Sequence, residues 1–157
     1  MTLFTFRDAT AADRGAIIGV VYTVLAEYGL QPDPAETDRD LGDLPCGYLA
    51  RGGMFRVLVT EGGEVVGCGG LYPWDDDEAE IRKMYFLPFA RGHGLGRQLL
   101  RELIEEARRK RFKWVVLETA SVLHEAIALY TNHGFVPAAR PPHSSRCDRV
   151  FELELPK

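Results

Sequence analysis

The sequence predicts a single α/β (α+β) domain over residues 1–157, a mixed and mainly antiparallel sheet of six or seven strands with helices on both faces. Three observations predict it. Hydrophobic periodicity switches between two and 3.6 along the chain in the order β-α-α-β-β-β-α-β-α-β-β. Gly62-Gly63 joins two β-rich runs as a hairpin signal. The stretch Ile81–Leu100, IRKMYFLPFARGHGLGRQLL, runs from an apolar strand through a proline corner and an Arg-Gly-rich turn straight into an amphipathic helix.

Residues Leu3 to Arg7 alternate as a strand, and Thr10 with Asp13 three positions on forms a helix-capping pattern. Ile17, Val20, Val21, Val24, Leu25 and Tyr28 recur at helical spacing up to Gly29, which stops the first helix. Prolines between Gln31 and Pro34 force a loop, and Asp40–Ala50 reads as a second, less regular helix. Phe55–Thr60 and Glu64–Tyr72 are the hairpin strands, joined by a two-residue turn, and Ala79–Leu87 is the next strand. A helix from Gly94 to Lys110 carries Leu95, Leu99, Leu103 and Ala107 along one face. Lys113–Glu118 is a strand, His124–Asn132 the last helix, and Phe135–Ala138 with Arg149–Leu155 a closing pair. There is no internal repeat and no second domain.

The glycine-rich turn has the composition of a phosphate cradle. A helix start leaves N–H groups without partners and carries partial positive charge, and both favour an anion. Gly92, Gly94 and Gly96 remove side chains that would hold a diphosphate away, while Arg91 and Arg97 add charge. A Walker loop would need a lysine after the glycines, and none is there. A dinucleotide fingerprint would place its third glycine where Arg97 or Leu99 stands, although Glu118 falls near its acidic position. An oxidoreductase is therefore disfavoured. The spacing that fits throughout is R-G-x-G-x-G-R over residues 91–97, four past the strand end at Leu87.

That motif resembles the acetyl-CoA-binding motif of the GNAT superfamily of N-acetyltransferases. Glu125–Phe135, EAIALYTNHGF, resembles the second signature of the same superfamily, in the expected order and about 35 residues downstream. The resemblance covers nearly the whole chain. It implies a GNAT fold and an acetyl-CoA-dependent N-acetyltransferase that acts by direct attack of an amine in a ternary complex. It further implies that the backbone of Met84 and Phe86 pairs with the pantetheine amides, with Tyr85 between them, and that the amides of Gly92, His93, Gly94, Leu95, Gly96 and Arg97 take the pyrophosphate. A backbone N–H near Tyr85 is the expected oxyanion donor. Tyr130 holds the position of a general acid, and Glu118 or Glu80 that of a general base. One departure is Leu123, which stands where many members carry an asparagine. A non-catalytic acyl-CoA-binding module is the alternative reading, and Tyr130 argues for the enzyme.

Composition excludes several classes. With 46% hydrophobic and 27% charged residues the chain reads as globular, and no apolar run approaches membrane-spanning length. The N-terminus lacks a signal-peptide layout, so the expected location is the cytoplasm. Cys46, Cys68 and Cys147 show no CxxC spacing, which disfavours disulfides and zinc, and they read as buried or half-buried filler. The four histidines have no ligand spacing, so no metal is expected. A net charge of −4 and the acidic run Asp75–Glu78 disfavour nucleic acid. The expected partner is a small-molecule or peptide amine, met by Tyr28, Asp33 and Tyr48 from the helical region, Tyr72 and Trp74, and the loop Arg140–Arg146. Edge strands near the C-terminus make a homodimer an open expectation.

Overall fold

The β-rich runs become strands β1 (Phe4–Asp8), β2 (Met54–Thr60), β3 (Val65–Pro73), β4 (Glu78–Phe86), β5 (Trp114–Thr119), β6 (Val136–Pro137) and β7 (Arg149–Glu154) in the computed structural model, which describes residues 3–156. The helical runs become α1 (Arg14–Glu27), α2 (Cys46–Ala50), α3 (Leu95–Arg109) and α4 (His124–Asn132). The strands form one sheet in the order β1-β2-β3-β4-β5-β7-β6. Every neighbouring pair is antiparallel except β4 and β5, which α3 joins as a parallel crossover.

Helices cover both faces, as the periodicities require. On one face α1 and α2 bury Ile17, Val21, Leu25 and Tyr48 against Phe55 and Val57. On the other, α3 and α4 bury Leu99, Leu103 and Tyr130 against Ile81, Val115 and Phe151. Each large apolar side chain so buried contributes roughly 1.5–3 kcal/mol. The outer face of α3 is held in solvent by the one-turn pairs Glu105–Arg108 and Glu106–Arg109. Among the described residues no helix is long and apolar enough to cross a membrane.

The cap of the first helical region forms as expected. Thr10 N–H donates to Asp13 Oδ2 (2.8 Å), and the Arg7 fork adds bonds of 2.7 and 2.9 Å that bring the Asp13 carboxyl down to about 2.

Three expectations are corrected. The helix expected over Asp40–Ala50 is instead a 3-10 turn at Arg39–Asp43 followed by the short α2, because Pro45 lacks an N–H and keeps Leu44 extended. The β2–β3 loop holds three residues rather than two: Thr60 N–H donates to Glu64 O, and Gly63 takes φ +84. Cys46 is exposed rather than filler, whereas Cys68 is buried and Cys147 half-buried. The acidic run at 75–78 caps its own turn, with Asp75 Oδ1 accepting from the N–H groups of Asp77 and Glu78 at 2.8 Å each.

Candidate active site

The site begins with a defect in β4. Opposite β3, Gly70 faces Arg82 and Cys68 faces Tyr85, so three steps along β4 match two along β3. The extra residue is accommodated at Lys83, whose φ is +56, in the left-handed region. One consequence shows in packing. Ala79 and Ile81 face α3, and beyond the bulge it is Met84 and Phe86 that pack on that same face. A bulge also bends its strand, and β4 pairs with β5 only over Glu78–Glu80. From Ile81 onward the two strands separate, and β5 goes on pairing with β7 alone.

The separation leaves one edge of β4 without a partner. Leu87 N–H donates to Val66 O at 2.9 Å, so by antiparallel alternation Tyr85 also bonds toward β3, while Met84 and Phe86 point their main-chain groups into the gap. An extended, amide-bearing ligand can add to such an edge as a strand. Of the N–H groups around Tyr85, those that face the gap belong to Met84 and Phe86, not to Tyr85 itself.

At the mouth of the gap the α3 N-terminus presents its amides. The first N–H of this turn to reach a backbone carbonyl is that of Gln98, which donates to Gly94 O at 3.1 Å; those of residues 92–97 have no protein acceptor among the described residues. Gly94 caps the helix at φ +74, a conformation that a side chain with Cβ disfavours, and no heavy atom lies within 4 Å of where its Cβ would be. The result is an open concavity of donors, the arrangement that binds phosphate. Arg97 is exposed and makes no ion pair among the described residues, so its charge is available there. Arg91 does otherwise than expected. Its guanidinium forks onto Glu27 at 2.7 and 2.8 Å and its Nε donates to Phe86 O at 2.9 Å, so it fastens the turn to α1 rather than facing an anion. His93 packs its ring on Phe4 at 5.5 Å, leaving only its amide for the cradle.

All of this opens into one cavity of about 850 Å³, bounded by β4 on one side and by the end of β5 with α4 on the other. Tyr130 and Leu123 line it, as do Glu80 and Glu118. Tyr130 is 6% exposed, and burial, helped by Tyr85 and Cys147, raises its phenol well above the ordinary range. The proton therefore stays on the phenol at neutral pH. Glu118 is engaged on both oxygens: Oε1 accepts from Ser144 N–H (2.8 Å), and Oε2 meets His143 N–H (2.7 Å) and Nδ1 (2.8 Å). Glu80 accepts from Trp74 Nε1 (3.1 Å) and Arg82 Nε (2.6 Å) through Oε1, leaving Oε2 without a protein donor among the described residues. Burial raises the Glu80 carboxyl against the opposing pull of Arg82. Cys68 donates to Lys83 O, and burial pushes its thiol up to about 12, which removes it as a nucleophile.

The far end of the cavity is a buried ion network that the sequence reading missed. Asp38, fully enclosed, takes the Arg146 fork at 2.8 Å on each oxygen and Lys83 Nζ at 3.4 Å. Lys83 also reaches Asp40 Oδ1 (3.1 Å) and donates to Thr37 O (3.0 Å). Tyr48 donates its hydroxyl to Asp40. The network ties the bulge to the loop before α2 and to the loop before β7. The available signal was the adjacent pair Arg82-Lys83 inside a strand, since adjacent residues point to opposite faces and both charges then need partners. Of the expected acceptor-side residues, Tyr28, Tyr48, Tyr72, Trp74, His143 and Arg146 reach the cavity. Asp33 instead accepts from Thr37, and Arg140 pairs with Glu78 at 3.0 Å. No group of three or more metal-ligating side chains occurs among the described residues.

Comparison with known proteins agrees with this architecture. The sequence model described as Acetyltransferase (GNAT) family matches residues 11–135. The uncharacterized N-acetyltransferase YjgM of Escherichia coli K12 is 44% identical over 134 residues, covering 82% of this chain and 80% of that protein. A GNAT-family acetyltransferase from Staphylococcus aureus Mu50 superposes with a TM-score of 0.91 over 98% of this chain and 100% of its own, at 21% identity. The Salmonella typhimurium protein YncA, solved with its cofactor acetyl-CoA, has a TM-score of 0.77 at 26% identity and covers 99% of this chain and 95% of its own.

Proposed function

The chain belongs to the acetyltransferase (GNAT) family, and on that premise we propose that it moves an acetyl group from acetyl-CoA to a primary amine by direct attack while both substrates are bound. The observation that carries the reading is the joining of two main-chain binding surfaces in one cavity. The gap-facing main chain of Met84 and the N–H of Phe86 suit the pantetheine amides, and the unpaired N–H groups of residues 92–97 suit the pyrophosphate. Acetyl-CoA supplies a thioester, an activated acyl group on a thiolate that leaves readily.

The chain's own side chains supply the rest. Met84 N–H faces the gap as the donor to a carbonyl oxygen that gains charge, a contribution of about 3 kcal/mol for one preorganised donor. Tyr130 is the acid. Its phenol, which burial keeps protonated, gives its proton to the thiolate as that group departs into the same enclosed space, where desolvation makes the thiolate more basic as well. Glu80 is the better placed of the two candidate bases, because Oε2 is open and burial makes the carboxylate more willing to take a proton. Glu118 is held by three donors and serves to fix the His143–Ser144 segment over the acceptor end.

The test is release of free CoA from acetyl-CoA against a panel of amino acids, polyamines, aminoglycosides and short peptides. The expected result is release that depends on a particular amine and saturates with it. Tight acetyl-CoA binding with no release above hydrolysis across the panel would instead describe a binding module.

A further inference from the structure

We infer that the acceptor is a free amino acid, a molecule whose reacting amine stands beside its own carboxylate, and that Arg82 is the residue that selects it; this rests on the transferase reading above. Arg82 and Glu80 are two apart on β4 before the bulge, so their side chains leave the strand on the same face. The Arg82 guanidinium lies 3.8 Å from the Tyr72 ring centre and 5.0 Å from that of Trp74. Its Nε is bonded to Glu80 Oε1. The two terminal nitrogens have no protein acceptor among the described residues, and they are not among the unpaired polar atoms sealed in the interior. Arg82 borders the cavity.

Aromatic walls and the Nε bond together hold the plane of the guanidinium, so its remaining donors form a fixed fork, the geometry that matches a carboxylate. Beside the fork lies Glu80 Oε2, an acceptor without a donor. A cationic fork next to an open carboxylate is complementary to a zwitterion: the carboxylate of the acceptor meets Arg82, and its amine meets the base.

The other cations at this end are committed. Arg146 and Lys83 are held by Asp38 and Asp40, and Arg39 bonds Ala35 O. A polyamine would bring a further cationic group against the Arg82 fork, which offers donors and no acceptor. A peptide N-terminus would offer a neutral amide where the fork expects an anion.

The test compares amino acids with their carboxamides and their decarboxylated amines, each at equal concentration of the unprotonated amine. Wild-type kcat/KM should be at least about tenfold higher for the free acids, as expected when a buried charged donor loses its partner. Arg82→Gln should abolish that preference through KM while leaving the acetyl-CoA Kd within about twofold, and Arg82→Lys should restore part of it. Equal use of acids and carboxamides by the wild type overturns the inference whether or not the variants fold. Preference retained in Arg82→Gln overturns it as well. Turnover of a polyamine but of no amino acid sinks this inference and leaves the transferase standing. Calorimetric binding of an amino acid to the CoA complex, lost in Arg82→Gln and without any turnover, does the reverse.

Discussion

Where residues 84–97 form the cavity wall, the groups facing a ligand are main-chain N–H and C=O; where residues 36–48, 72–83 and 118–146 form it, they are charged and aromatic side chains. The first wall is local, made from consecutive residues of a strand, a turn and a helix start. The second is assembled from loops and strands more than a hundred residues apart, as in the Thr37–Ser144 and Asp38–Arg146 contacts. A main-chain site survives changes in most of its side chains, whereas a side-chain network fails when one member is removed. On the proposed reading, the main-chain end suits one invariant ligand and the side-chain end suits discrimination between acceptors.

The largest effect that would test this division is at Asp38. Asp38→Ala leaves Arg146 and Lys83 buried without their shared partner, so urea unfolding should show a loss of about 3–5 kcal/mol. The folded fraction should still bind acetyl-CoA within about threefold of the wild type, and a collapse of that affinity would mean the two ends are one cooperative unit. Gly94→Val acts in the opposite sense. A β-branched residue at φ +74 costs about 1–2 kcal/mol of folding stability and fills the cradle, so calorimetry should show acetyl-CoA affinity falling beyond about 10²-fold.

Tyr130→Phe, between the two ends, should lower kcat by about 10²-fold in the CoA-release assay with cofactor Kd unchanged. Equal losses in both would make the tyrosine a packing residue. Arg97→Ala removes an exposed charge and should weaken acetyl-CoA only about three- to fivefold, a difference that shrinks as salt is raised.

The smallest effect at neutral pH appears on acidification. Burial raises the Asp38 carboxyl, but Arg146, the Asp33 N–H and Lys83 outweigh it and the net shift is downward. A depressed folded value gives stability that is full above the ordinary carboxylate value of about 3.9 and is lost as pH falls through the folded one. Asp13, held at about 2, acts with the same sign. Chemical denaturation at pH 5 and pH 3 should show that loss, and Asp38→Asn should flatten it.

Legibility followed the same division. The cradle was readable because glycine spacing, the proline corner and the helix start are all within one stretch of sequence. Its glycines are where they were expected, but Arg91 was misread because Glu27, its partner, is sixty-four positions away. Glu118 and Glu80 are legible as candidates, and strand spacing brings Arg82 beside Glu80, yet His143, Ser144 and Trp74 reach these carboxylates only through the fold. The break of the second helix at Pro45 is legible from the proline, although the apolar periodicity on either side of it masks the break.

By itself the sequence determined the strand and helix order and the glycine-rich turn that runs from a strand into a helix start, because these depend on backbone preferences and periodicities that act over a few residues. Only the tertiary structure decided how β4 leaves β5 at the Lys83 bulge, which carboxylate keeps an open oxygen, and which arginine stays free. Those outcomes depend on desolvated charges finding partners across the fold, and pairing energies of that kind exist only once distant segments have been brought together.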